Sequence, residues 1–251
     1  MYVYTISDLH VDYPANRQWL DSLSETQFQQ DVLILPGDIS DDRKLLSQVF
    51  NKLKSCFFEV IYVPGNHDLW VPRDQTLTSL KKFEEVLDLA DSMSVVTGVW
   101  SHEALTIVPL FSWYDYSFGS PCEWLRRSWM DYYLCNWEEF SDEAVAVTDF
   151  FLSKNESRLS VKNHHVISCS HFLPRLDLMP DHIPFEHQRV YPVLGSWKLD
   201  QQIRQLGSNM HIYGHSHVNR DVTLEGIHYI NNAFGNPKET RIAKKKLQRI
   251  Y

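Results

Sequence analysis

Five apolar runs in this chain end in the same way. TISDLH, LILPGDISD, YVPGNHD, ISCSH and IYGHSH each close a β-rich stretch with Asp, Asn or His. One polar residue after a strand is ordinarily a turn former, because short polar side chains satisfy the backbone where it leaves a sheet. Five such ends point further, since in layered α/β folds the strand ends share a rim where ligands gather. The pattern asks for a fold that brings five strand ends, carrying metal-competent side chains, to one place.

The runs between these ends alternate in type. Hydrophobic patterning predicts strands at 2–7, 32–35, 60–63, 105–108, 166–170 and 210–213, with a late pair at 222–224 and 227–230. Helical periodicity covers 14–23, 42–55, 75–89, 123–133, 142–152 and 198–206. Strand and helix in alternation imply an α/β layered fold with crossovers, and the late pair adds an antiparallel portion. With no repeat or linker in view, residues 1–251 read as one domain, with an aromatic-rich cap or insertion at about 111–160.

Composition narrows the function. A formal charge of -8 argues against a general grip on phosphate backbones, which needs a basic face, so nucleic acid is an unfavoured partner. The run Lys244, Lys245, Lys246 reads as a solvated tail. No apolar stretch approaches the roughly 20 residues needed to span a bilayer, so no membrane span is expected. The start MYVYTISDLH reads as a first strand and not as a secretory leader. Four cysteines without CxxC spacing fit a reducing, cytoplasmic setting, and Cys169, near His171, reads as a buried strand thiol.

Asp8 and His10 are two apart, as are His215 and His217, so in extended chain each pair would point to one side. Carboxylate oxygen combined with imidazole nitrogen suits manganese, iron or zinc better than calcium, and the lack of clustered cysteine speaks against a structural zinc site. Gly37 precedes Asp38 and Gly65 precedes Asn66; each glycine would let the backbone turn sharply so that the next side chain reaches inward.

The blocks D8-x-H10, G37-D38-x-x-D41, G65-N66-H67-D68, the isolated His171 and G214-H215-x-H217, in that order, resemble the calcineurin-like metallophosphoesterases. That resemblance implies a four-layer α/β/β/α sandwich, two mixed sheets packed face to face with helices outside. It implies two metal ions, divalent or of mixed valence: Asp8, His10 and His217 on one, Asn66, His171 and His215 on the other, with Asp38 bridging. It further implies hydrolysis of a phosphomonoester or phosphodiester by a hydroxide shared between the ions, with His67 as general acid. Asp41 would accept a hydrogen bond from His67, and Asp68 would either share that role or close the turn. The other classes open to such a chain are a scaffold that keeps the fold without turnover, and a nuclease.

The resemblance breaks in one block. The protein phosphatases of this superfamily carry GDxxDRG and GNHE, whereas this chain has GDISDDR and GNHD, so Arg43 is displaced by one position and no phosphate-gripping arginine transfers. Residues 109–137 hold four of the eight tryptophans. The plain reading is a cap packed on the sheet. The functional one is a lid in which Trp113, Tyr114, Tyr116 and Arg126 or Arg127 shape a pocket for an organic group. PLFSWYD and GIHYINNAFGNPKE are similar to a subgroup that removes phosphopantetheine from acyl carrier proteins, which makes a carrier protein a candidate partner. His182 and His187, beyond His171, are secondary candidates for substrate contact.

Overall fold

A computed structural model describes residues 1–72, 78–141 and 143–251. The expected helix starts at Gln75 and Asp142 lie outside the described residues. The first sheet contains β1 (Val3–Thr5), β2 (Phe28–Pro36) and β3 (Phe57–Val63) in parallel. The second contains β4 (Trp100–His102), β5 (Leu105–Pro109), β6 (His165–Cys169), β7 (Met210–Tyr213), β8 (Arg220–Leu224) and β9 (Ile227–Asn231). A short strand β10 (Gln248–Arg249) returns antiparallel to β1, giving the orders β10-β1-β2-β3 and β4-β5-β6-β7-β9-β8. In the second sheet β5, β6, β7 and β9 are parallel, and the edges β4 and β8 are antiparallel.

Both sheets are mixed and covered on both faces, as the four-layer expectation requires. Val32, Ile34, Ile61 and Val63 pack in one core with Leu105, Ile107, Ile167 and Ile212 of the opposite sheet. Their neighbours Leu33, Leu35, Val60 and Tyr62 face the other way, onto α1 (Pro14–Asp21), α2 (Arg43–Cys56) and α3 (Ser79–Ser92). On the far side Val166, Tyr213 and Tyr229 pack against α7 (Trp197–Leu206). Burial on both faces is why the central strands read as unbroken apolar runs. Helix α2 shows what holds a layer in place: Leu46, Val49, Phe50 and Leu53 are buried along one face, each worth about 1.5–3 kcal/mol. Asp42 caps it by accepting from the N–H groups of Lys44 and Leu45, which leaves Arg43 exposed in the first turn.

Two expectations need correction. Strands β4 and β10 were not foreseen, because WSH and QR carry no apolar alternation; they are edges held by backbone pairing. The single helix expected at 123–133 is two, α4 (Glu123–Ser128) and α5 (Asp131–Leu134). Trp129 leaves the helical conformation between them and its indole N–H donates to Asp131 Oδ2 at 2.8 Å. The following helix, α6 (Ala144–Lys154), packs its buried side chains toward the inter-sheet core.

Candidate metal centre

Each expected ligand occupies a turn leaving a central strand: Asp8 and His10 after β1, Asp38 after β2, Asn66 after β3, His171 after β6, His215 and His217 after β7. Asp8, Asp38, Asn66 and His171 are completely enclosed, and His10 and His215 nearly so. One donor atom from each of Asp8, His10, Asp38 and His217 falls within 4.8 Å of the others, and the same is true of Asp38, His171 and His215. Asn66 Oδ1 joins the second group, 3.0 Å from His171 Nε2. Asp38 belongs to both groups, so the layout could hold two adjoining cations around one shared carboxylate.

Strand alternation is not what makes these pairs converge. Eleven non-glycine residues among those described have positive φ, and Asp8, His10, Asp38, His215 and His217 are five of them. Such left-handed backbone is disfavoured for residues with a β-carbon, and it collects where the surroundings over-determine a functional geometry. Asp68 supplies part of that constraint: its carboxylate accepts from the N–H groups of Asp38, Ile39, Ser40 and Gly65 and from the Tyr62 hydroxyl at 2.8–3.0 Å, tying the second loop to the third. It closes the turn. Gly37 makes the expected left-handed turn at φ 71°, but Gly65 does not; a β-carbon there would overlap Asp38, so its bareness permits a close approach.

The protonation pattern fits cations. His171 donates from Nδ1 to Pro36 O at 2.9 Å, and His215 from Nε2 to Val193 O at 3.0 Å. Their remaining nitrogens therefore face each other as lone pairs at 3.1 Å, with Asn66 Oδ1 beside them. Burial holds both rings below the usual histidine range, which keeps those lone pairs free of protons. Three acceptors meeting without a hydrogen between them repel unless a cation sits against them. At the neighbouring group burial, with the Asp8 and Asp68 carboxylates, pushes Asp38 well up. Burial opposes charge on His217, but Asp8 and Glu239 outweigh it and hold the ring up at about 10. This half of the cluster is short of positive charge.

His67 differs from the expected ligands in being about a third exposed. Its N–H donates to Asp38 Oδ1 at 2.9 Å, and its ring lies on Trp70 with centroids 3.7 Å apart. Burial and the His217 and His171 rings bring its pKa down to about 3. Among the described residues no hydrogen bond joins His67 to the Asp41 carboxylate; the His67 ring is seated by Trp70, and one contact of the buried Asp41 is its backbone carbonyl accepting from Lys82 Nζ.

The aromatic segment divides. Trp113 is core, packed edge-on against Trp137 and Phe172. With Tyr114, Tyr116, Asp131 and Tyr132 it also lines a cavity of about 310 Å³. Arg126 and Arg127 are not brought there: both are exposed on α4, and Arg127 pairs with Glu123 across one helical turn. His182 and His187 are exposed as well. Two carboxylates escaped the sequence reading. Glu239 accepts from His217 Nδ1 at 2.7 Å, and Asp131 accepts from Asn66 Nδ2 at 2.8 Å. The available signal for Asp131 was an acid set among aromatics in WMDYY.

The chain is 28% identical over 272 residues to [Acyl-carrier-protein] phosphodiesterase PptH of Mycobacterium tuberculosis, covering 96% of this chain and 80% of that protein. The crystal structure of Phosphopantetheinyl Hydrolase (PptH) from Mycobacterium tuberculosis superimposes with a TM-score of 0.85 at 23% identity, over 99% of this chain and 95% of that one, so the fold is shared. The family pattern of the calcineurin-like phosphoesterases matches residues 1–219, and the chain belongs to that family of metal-dependent phosphoester hydrolases.

Proposed function

We propose that this phosphoesterase hydrolyses a phosphodiester, and that its substrate is the phosphopantetheinyl linkage of a carrier protein. Asp8, His10 and His217 would hold one ion, Asn66, His171 and His215 the second, and Asp38 would contribute to both. An oxygen and nitrogen donor set without thiolate favours manganese, iron or zinc. Two such ions, when bound, lower the pKa of a water and neutralise the nonbridging phosphoryl oxygens. The observation that carries the assignment is the meeting of Asn66 Oδ1 and His215 Nδ1 at His171 Nε2, 3.0 and 3.1 Å away, with the other nitrogen of each ring held against a backbone carbonyl.

His67 donates the proton to the departing oxygen. It stands at the open side of the cluster, where a leaving group can depart, and a phosphate anion beside it shifts its pKa upward, the direction an acid needs. Residues 111–160 act as a cap, and the cavity bordered by Trp113, Tyr114 and Tyr116, of small-ligand size, takes the organic arm. The substrate choice leans on the relative whose printed activity is acyl-carrier-protein phosphodiesterase. Four unpaired thiols fit work in a reducing compartment such as the cytoplasm, and no helix among the described residues is long and apolar enough to cross a membrane.

The test is a substrate panel on the manganese-loaded chain: phosphomonoesters, aryl and cyclic-nucleotide diesters, and a carrier protein bearing its prosthetic arm. Release of the arm at the highest kcat/KM supports the proposal. Faster turnover of a monoester or cyclic diester, with the carrier protein left intact, contradicts it.

A further inference from the structure

Asp131 is a carboxylate sealed inside the protein, 3% exposed, and it is not among the seven proposed ligands. Burying an ionisable carboxyl is costly unless hydrogen bonds compensate, so its partners reveal what it is kept for. Oδ1 accepts from Asn66 Nδ2 and from Trp70 Nε1, both at 2.8 Å, and Oδ2 accepts from Trp129 Nε1 at 2.8 Å. Trp70 is the platform beneath His67, and Trp129 stands edge-on to the His215 ring at 5.8 Å. One side chain from the aromatic segment thus touches three groups around the cluster.

The contact with Asn66 matters most. A carboxamide can present either its oxygen or its NH2 in nearly the same space. Beside His171, whose Nδ1–H is committed to Pro36 O, the His171 ring by itself would favour the NH2, because it would donate to the His171 Nε2 lone pair. That flipped amide would make a good hydrogen bond and place an N–H where an ion must sit. Asp131, accepting from Nδ2 on the opposite side, keeps the oxygen turned to His171.

We propose that Asp131 is a positioning residue for the second ion: it holds the Asn66 carboxamide in its metal-binding orientation against the flip that His171 Nε2 invites. This rests on the two-ion assignment above and not on the identity of the substrate. The break between α4 and α5 has a purpose in these terms, since an unbroken helix would not let the Trp129 indole fold back onto Asp131.

The test titrates manganese into the full chain freed of metal, for wild type, Asp131→Ala and Asp131→Asn. Stoichiometry comes from calorimetry, and the exchange-coupled pair is followed by electron paramagnetic resonance. In Asp131→Ala the second ion is expected to bind about 10–100-fold more weakly while the first is retained, so the coupled signal gives way to that of an isolated ion. Asp131→Asn keeps the shape and one acceptor oxygen and recovers part of the loss; should the alanine variant not fold, it carries the test through the same selective weakening. Two ions at wild-type affinity in a folded variant would overturn the proposal, as would equal weakening of both, which is what loosened packing alone would give. A wild-type chain that binds the ion pair but leaves carrier protein intact would sink the substrate reading and leave this inference standing.

Discussion

Strand β7 and the turn that leaves it carry two kinds of buried histidine. His211 lies within the strand with Nδ1 on the Ser168 hydroxyl at 2.8 Å and Nε2 on the Ser170 hydroxyl at 3.0 Å, so both nitrogens have polar partners that can complement them. His215, four residues on, spends one nitrogen on Val193 O and aims the other at His171 Nε2 and so at another lone pair. Burial is common to both, and burial therefore says little about function. What separates them is satisfaction: the first is a finished hydrogen-bond network, the second an arrangement of facing ring nitrogens suited to a cation.

Changes on the unsatisfied side should dominate activity. Asp38→Asn, which removes the shared carboxylate, should lower kcat/KM on an aryl phosphodiester by on the order of 10³-fold with the fold intact by circular dichroism. His67→Ala should cost about 10²–10⁴-fold in kcat with an alkoxide leaving group, and much less with p-nitrophenolate, which needs no proton to depart. A loss independent of the leaving group would remove His67 from the acid role. Glu239→Gln, which weakens the acceptor behind His217 Nδ1, should loosen the first ion by about 10-fold in a metal titration while sparing the second.

Changes on the satisfied side should appear in stability. His211→Asn should destabilise the chain by about 2–3 kcal/mol in urea without altering turnover of the ion-loaded protein. The pH dependence sharpens the contrast. Burial holds His211 down at about 3, below an unfolded value near 6.5. Between those values the unfolded chain binds a proton that the folded chain refuses, so stability falls as pH drops from about 6.5 toward 3, by up to about 1.4 kcal/mol per pH unit from this residue. Above pH 6.5 the penalty vanishes, and His211→Asn should flatten the slope by that share. The smallest effect belongs to Arg127→Ala: its pair with Glu123 is solvent-exposed, and both stability and KM should stay near wild type.

How far the site was legible follows from the same chemistry. The seven proposed ligands and His67 could be picked out because metal binding and proton transfer demand particular residue types, and because the sheets place those types directly after apolar runs. The central strands were visible for a related reason, since both faces are buried. Edge strands β4 and β10 left no such trace, because backbone pairing asks nothing of side chains like those of Gln248 and Arg249. Asp131 and Glu239 were hidden because an acceptor behind a ligand needs only to be a carboxylate in the right place, and that place is set by tertiary packing: Asp131 is 65 residues from Asn66 and Glu239 is 22 from His217. The left-handed backbone at Asp8 and His10 was hidden too, because strand alternation explains their spacing equally well.

The most direct test of two cations around Asp38 is anomalous diffraction from crystals of the manganese-loaded chain. Two peaks are predicted about 3.5–4 Å apart on either side of the Asp38 carboxylate, with Asn66 oxygen and His171 Nε2 on the same ion. A single peak, peaks away from Asp38, or an Asn66 amide nitrogen turned to His171 with both imidazole lone pairs unligated, would contradict the account.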